Sequence, residues 1–64
     1  MVTIAVTEAG LVIRHTLVWI GDGDVVWEML APGMAPVAQI VDEERADELL
    51  ATLAALLAVS PPCN

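Results

Sequence analysis

The sequence has no lysine, tyrosine or phenylalanine, and its only basic residues are Arg14 and Arg45. Proteins bind nucleic-acid phosphates and anionic lipid surfaces through clustered Lys and Arg side chains. Nine acidic residues against two arginines give this chain a formal net charge of −7. We therefore predict that it binds neither nucleic acid directly nor a membrane surface.

Cysteine and histidine are equally scarce, with one of each, Cys63 and His15. A single cysteine allows no internal disulfide, and the two residues are too few for a zinc site built from several Cys or His ligands. We interpret Cys63, which follows two prolines, as an incidental thiol rather than an intermolecular bridge. A phosphate-binding glycine loop and a nucleophile elbow are also lacking, so we predict no metal, no cofactor, no catalytic residue and no enzymatic activity.

Long hydrophobic runs are missing as well. The longest apolar stretch covers residues 49–59 and is interrupted by Thr52, whereas a membrane-spanning helix needs about 20 apolar residues. The first residues carry no basic group of the kind that begins a secretory signal. These features predict a cytoplasmic protein.

Apolar residues, by contrast, are in excess. They make up 58% of the 64 residues before glycine is counted, whereas soluble domains contain about 45–50% with glycine included. A domain this small buries only about 60% of its exposable surface, so much of the excess must lie at an interface. Because an internal disulfide and a metal are excluded, oligomerisation is the remaining means of stabilising so small a domain.

Period-two alternation of apolar residues predicts three β-strands, at residues 2–7, 11–20 and 25–30. The strongest local signal is Asp22-Gly23 between the second and third strands, which predicts a type I′ hairpin turn. Ala9-Gly10 is a second candidate two-residue turn, between the first two strands. The strands are therefore predicted to form an antiparallel meander.

The two predicted turns set a register for the sheet. The first places Val6 opposite Ile13, and the second places Trp19 opposite Val26. One face, predicted to be the core, then carries Leu11, Ile13, His15, Leu17, Trp19, Val26, Glu28 and Leu30. The second face carries Val12, Arg14, Thr16, Val18, Ile20, Val25, Trp27 and Met29.

A loop is predicted over residues 31–36, which are rich in proline and glycine, and residues 37–41 form a candidate fourth strand. Asp42 is a good N-cap for a helix over residues 43–59. The helix stripe predicted to dock on the sheet consists of Ala46, Leu49, Leu50, Leu53, Leu56 and Leu57. The opposite side of the helix carries Glu48, Ala51, Thr52, Ala55 and Ala58.

The predicted fold is therefore α+β, a three- or four-stranded antiparallel β-meander followed by one C-terminal amphipathic helix. Residues 1–59 form the single domain, and residues 60–64 form a short flexible C-terminal tail.

Two patterns allow a chemical interpretation, and each has a simpler structural one. His15 and Glu28 are diagonal on one predicted face, which suits a general base, but a structural polar pair is the preferred interpretation. Asp22 and Asp24 lack the further oxygen ligands of a calcium loop, so a hairpin turn explains them. A third hypothesis is a small-ligand site formed by His15, Glu28 and Arg14. It is the least favoured, because the predicted register places Arg14 on the face opposite to His15.

We predict a non-enzymatic interaction module that self-associates, most simply as a homodimer. The candidate contacts are on the second sheet face or on the back of the helix, at Val18, Trp27, Met29, Ala51, Ala55 and Ala58. The alternative is an acidic regulator of a basic protein, of the antitoxin, immunity-protein or nucleic-acid-mimic type found among phage or plasmid accessory proteins. Its candidate contacts are Asp42, Glu43, Glu44, Asp47 and Glu48.

Overall fold

A computed structural model describes residues 1–59 as four strands followed by one helix. In chain order these are β1 (Val2–Glu8), β2 (Leu11–Gly21), β3 (Asp24–Leu30), β4 (Val37–Asp42) and α1 (Glu43–Val59). The strands form one antiparallel sheet in the order β1-β2-β3-β4. The predicted α+β meander is confirmed, and the candidate fourth strand is present. The predicted tail, with Cys63, lies outside the described residues.

The first hairpin has the predicted register. Its turn residues Ala9 and Gly10 have φ angles of 51° and 81°, and a type I′ turn requires positive φ at both positions. Val6 accordingly pairs with Ile13. The left-handed conformation costs alanine about 1–2 kcal/mol, so the pairing of β1 with β2 must offset that strain.

The second hairpin differs from the prediction by one residue. Asp22 and Gly23 form the expected turn, with φ angles of 54° and 77°, but Trp19 pairs with Val25 and not with Val26. A β-bulge between Trp19 and Gly21 inserts one extra residue into β2. Gly21 has a φ of 93°, which only glycine adopts without strain.

This one-residue shift exchanges the two faces of β3, because side chains alternate with a period of two. The predicted assignment of β3 to its faces was therefore wrong. Val25, Trp27 and Met29 lie on the same face as Leu17 and His15. The side chains of β3 that lie on the other face are those of Asp24, Val26, Glu28 and Leu30.

The helix packs on the first of these faces, here called the covered face. Its core consists of Leu17, Val25, Ala46 and Leu49, bordered by Trp27, Val41 and Leu50. Val6 and Leu53 are also buried. The predicted docking stripe is confirmed over the first three turns of α1, whereas Leu56 and Leu57 near its end are 40% and 47% exposed.

Two hydrogen bonds hold the start of the helix. The Arg45 amide donates to the Asp42 carboxylate at 2.7 Å, which confirms the predicted N-cap. The Glu43 amide donates to the Gly23 carbonyl at 3.1 Å and so joins the helix to the tip of the second hairpin. These bonds bring five acidic residues to one end of the molecule, here called the acidic end: Asp22, Asp24, Asp42, Glu43 and Glu44.

Candidate functional site

The side of the sheet away from α1 carries a row of aliphatic side chains and is here called the open face. Its apolar members are Val12, Val18, Ile20, Val26, Leu30 and Ile40. No element within residues 1–59 packs over it, since α1 lies on the covered face. An antiparallel sheet with one wet face normally presents polar residues there.

The centre of the open face is a continuous apolar band across three strands. Val18 of β2 pairs with Val26 of β3, which pairs with Ile40 of β4. Directly opposite side chains in a sheet have Cβ atoms about 4.5–5.5 Å apart, so Val26 lies beside Val18 on one side and beside Ile40 on the other. Ile40 is 65% exposed and Val12 is 56% exposed. Val18 and Val26 are half-buried, and the band is a candidate interaction surface because contiguous apolar patches on a protein surface are enriched at such sites.

Two opposite charges lie beside this band. Arg14 is on β2, opposite Leu30, and Glu28 is on β3, opposite Thr16. Both side chains are exposed. The ion pairs found within residues 1–59 join His15 to Glu8 and Arg45 to Glu48, so neither Arg14 nor Glu28 has a charged partner in the described part of the chain. Arg14 and Glu28 are therefore unpaired and oppositely charged beside the band, whereas the other acids on this side of the sheet, Asp24 and Asp42, lie at the acidic end.

A shallow depression of about 340 Å³ adjoins Arg14 at the end of the open face. Its walls are formed by Val12, Leu30 and residues 31–34. The loop that closes this side contains a turn in which the Met34 amide donates to the Ala31 carbonyl at 3.2 Å. The Met34 side chain is 65% exposed, so it extends the apolar surface beyond the strand ends.

His15 has a different partner from the one predicted. Glu28 lies on the open face and His15 on the covered face, so the predicted His15–Glu28 pair was wrong. Instead, the Trp27 indole N–H donates to His15 Nδ1 at 3.2 Å, and the two rings stack with centroids 6.1 Å apart. His15 is 6% exposed. Its nearest carboxylate is that of Glu8, with Oε2 3.8 Å from Nε2.

This arrangement fits a structural role for His15. Because Nδ1 accepts a hydrogen bond, the neutral imidazole carries its proton on Nε2. Nε2 is buried and has no hydrogen-bond partner among the described residues. A second depression lies on the other side of the 31–34 turn, and His15 lines neither of the two. The imidazole therefore satisfies the Trp27 indole within the fold.

The predicted interface residues are divided among the open face, the covered face and the back of α1. Val18 lies on the open face, whereas Trp27 and Met29 lie on the covered face. Val26 and Glu28 take the positions on the open face, opposite Val18 and Thr16, that the predicted register had assigned to Trp27 and Met29. The sequence signal for this exchange is Gly21, a second glycine immediately before the Asp-Gly turn that can host a bulge.

The back of α1 is a smaller candidate surface. Ala51 and Ala55 are exposed there, and the predicted contact at Ala58 lies outside the described side chains. The Thr52 hydroxyl donates to the Glu48 carbonyl at 2.9 Å, so it is satisfied within the helix. Alanine methyl groups expose little apolar area compared with Val, Leu and Ile, so the open face has more apolar surface to bury.

The acidic end is the third surface. Asp24 and Asp42 pair across β3 and β4, and like charges directly opposite each other are destabilising. Of the other two predicted acidic contacts, Asp47 is exposed and Glu48 contacts Arg45 at 3.5 Å. No group of three or more His, Cys, Asp or Glu residues within residues 1–59 is arranged to hold a metal ion.

Comparison with known proteins found no matching family model, no matching curated protein and no matching solved structure. No helix in the part of the chain described is long and apolar enough to cross a membrane. The proposal for function therefore depends on the surfaces of this chain alone.

Proposed function

We propose that this chain is a non-enzymatic interaction module that forms a homodimer by packing its open face against the open face of a second copy. The observation that supports the proposal most strongly is the uncovered band of Val18, Val26 and Ile40 on one side of a complete four-stranded sheet. Two antiparallel sheets that pack face to face, about 10 Å apart, form a common and stable core. In such a dimer the two helices lie on the outside.

The size of the open face suits this role. Four strands spaced about 4.8 Å apart, with about seven residues rising 3.4 Å each, give a footprint of about 450 Å². The accessible surface of the projecting side chains exceeds this flat footprint. The flat footprint alone is a little over half of the roughly 800 Å² that each partner buries in a standard interface, and the projecting side chains add to it.

The free energy of burial is also of the right order. The exposed fractions of Val12, Ile20, Leu30 and Ile40 together equal about two whole side chains. Complete burial of such a side chain contributes roughly 1.5–3 kcal/mol, so two copies gain about 6–13 kcal/mol. Association costs about 4–15 kcal/mol in lost freedom and ordering. The two ranges overlap, which supports a dimer of moderate affinity.

The test compares two lysine substitutions in the same edge strand. Ile40 and Val37 both belong to β4 and are 65% and 52% exposed, but they lie on opposite faces. We expect Ile40→Lys to be monomeric, because it places a charge in the band, and Val37→Lys to remain dimeric. Sedimentation velocity from about 1 to 100 µM measures the association, and circular dichroism checks that both variants are folded.

A wild-type chain that stays monomeric over that range would overturn the proposal. So would an Ile40→Lys variant that dimerises as strongly as Val37→Lys. The same runs in 1 M NaCl should leave the wild-type dimer intact, because apolar burial is not screened by salt.

A second candidate function is supported by the acidic end. The hydrogen bond from Glu43 to Gly23 concentrates the acids of the hairpin tip and the helix start in one place. This surface suits a basic protein partner, as the predicted acidic regulator requires. Binding of that kind should weaken sharply between low and high salt, whereas the open-face dimer should not.

A further inference from the structure

Arg14 and Glu28 are neighbouring residues of opposite charge on the central strands of the open face, whereas Asp24 and Asp42 lie at its acidic end. We infer that Arg14 of each copy forms an ion pair with Glu28 of the other copy, and that these two reciprocal pairs determine how the dimer is oriented. The inference rests on the proposed open-face dimer. The partner is thus a second copy of this chain, and the pairs are its specificity determinants.

Arg14 is on β2 and Glu28 on β3, which are the two inner strands. Glu28 pairs with Thr16, two residues along β2 from Arg14. The two charges are therefore diagonal neighbours on the inner strands, with Cα atoms about 7–8 Å apart, and Arg14 is the one nearer to the 31–34 turn. A surface that covers the apolar band also covers both charges.

Both charges lack a partner in the described part of the chain. The molecule has only two basic residues, and Arg45 already contacts Glu48 at 3.5 Å on the helix. Arg14 is thus the only other base. A charge covered by a second sheet without a counter-charge would be strongly destabilising, because it loses its hydration and gains nothing in return.

Two-fold symmetry supplies the counter-charges. In an interface of this symmetry the same patch is used twice, so that if residue i of one copy meets residue j of the other, j of the first also meets i. A two-fold axis that runs parallel to the strands, between β2 and β3 and midway between the two sheets, sets each Arg14 over β3 of the opposite copy, about two residues (roughly 7 Å) along the strand from Glu28. One Arg14 and one Glu28 per copy then form two matched pairs, whereas Asp24 and Asp42 lie at the acidic end of the face, away from Arg14. Arginine and glutamate side chains, extended toward each other, suit the gap of about 10 Å between packed sheets.

These pairs contribute more to orientation than to affinity. Electrostatic complementarity across an interface suppresses wrong arrangements, because like charges brought together are strongly unfavourable. The apolar band alone is compatible with several rotations of one sheet over the other. Only those rotations in which both Arg14–Glu28 pairs form at the same time are then favoured.

The experiment reverses each charge separately. Arg14→Glu and Glu28→Arg each create two repulsive contacts per dimer, so each variant alone should dimerise at least about tenfold more weakly than the wild type. An equimolar mixture of the two variants should recover the affinity as a heterodimer, because both contacts between unlike copies are attractive. Native mass spectrometry identifies the heterodimer, whose mass differs from that of either homodimer. Arg45→Glu is the matched control, and it should dimerise like the wild type.

The double variant Arg14→Glu/Glu28→Arg separates two explanations. If the pairs form between copies, both the double variant and the mixture of single variants should dimerise with about the affinity of the wild type. If the double variant regains that affinity but the mixture does not, the two charges pair within one chain. That result would overturn this inference but not the proposed dimer. Single variants with wild-type affinity would also overturn it. A monomeric wild type would instead overturn the proposed dimer itself.

Discussion

The hydrogen bond from the Trp27 indole to His15 can be tested by removing its donor. Trp27→Phe keeps an aromatic ring at the border of the core but removes the indole N–H. His15 Nδ1, now accepting the N–H at 3.2 Å, would lose its partner inside a side chain that is 6% exposed. His15 Nε2 is already without a hydrogen bond among the described residues, so both nitrogens of a buried imidazole would then be unsatisfied.

The expected loss follows from that burial. Leaving one buried acceptor unpaired costs about 1–3 kcal/mol, more than the net contribution of a satisfied hydrogen bond. The smaller phenyl ring adds a packing loss next to Leu17 and Leu50. A 64-residue domain has a free energy of unfolding of only about 3–10 kcal/mol. Trp27→Phe should therefore remove a large part of the stability of the fold.

Urea unfolding followed by far-ultraviolet circular dichroism measures this loss. All variants are compared at one protein concentration, because a dimer's apparent stability depends on it. Trp19→Phe is the control, since Trp19 is 38% exposed and its indole makes none of the side-chain hydrogen bonds found among the described residues. A double-mutant cycle of Trp27→Phe with His15→Phe isolates the pair, and we expect a coupling of about 1 kcal/mol. A coupling near zero, with Trp27→Phe no worse than Trp19→Phe, would refute the structural role assigned to His15.

Two further substitutions test the features that set the register and the helix start. Gly21→Ala should destabilise the fold by about 1–2 kcal/mol in urea unfolding, because residue 21 has a φ of 93°. Since nothing lies within 4 Å of an added Cβ there, the cost is in the backbone alone, and Gly21→Asn, which tolerates this conformation better, should lose less. Asp42→Ala should lose about 0.5–2 kcal/mol of helix capping. Asp42→Asn keeps the cap and removes the charge facing Asp24, so a loss as large as that of the alanine variant would contradict the assigned N-cap.

The local elements could be predicted from the sequence because each depends on residues close together in the chain. The Asp22-Gly23 and Ala9-Gly10 turns are chosen by residues that accept positive φ. Asp42 begins the helix through a bond to an amide three residues on. With these turns and caps, the α+β meander and the bounds of its helix follow from short-range stereochemistry.

The identity of the open face was decided only by the tertiary structure. The bulge before Gly21 adds one residue to β2, and a shift of one residue moves every side chain of β3 to the opposite face. Trp27 thereby enters the covered face beside His15, and Glu28 joins Arg14 on the open face. Hydrophobic alternation is almost equally strong on both sides of this sheet, so the pattern does not distinguish the two registers. The distinction comes from the packing of α1, which buries Val25 completely and leaves Val26 on the open face.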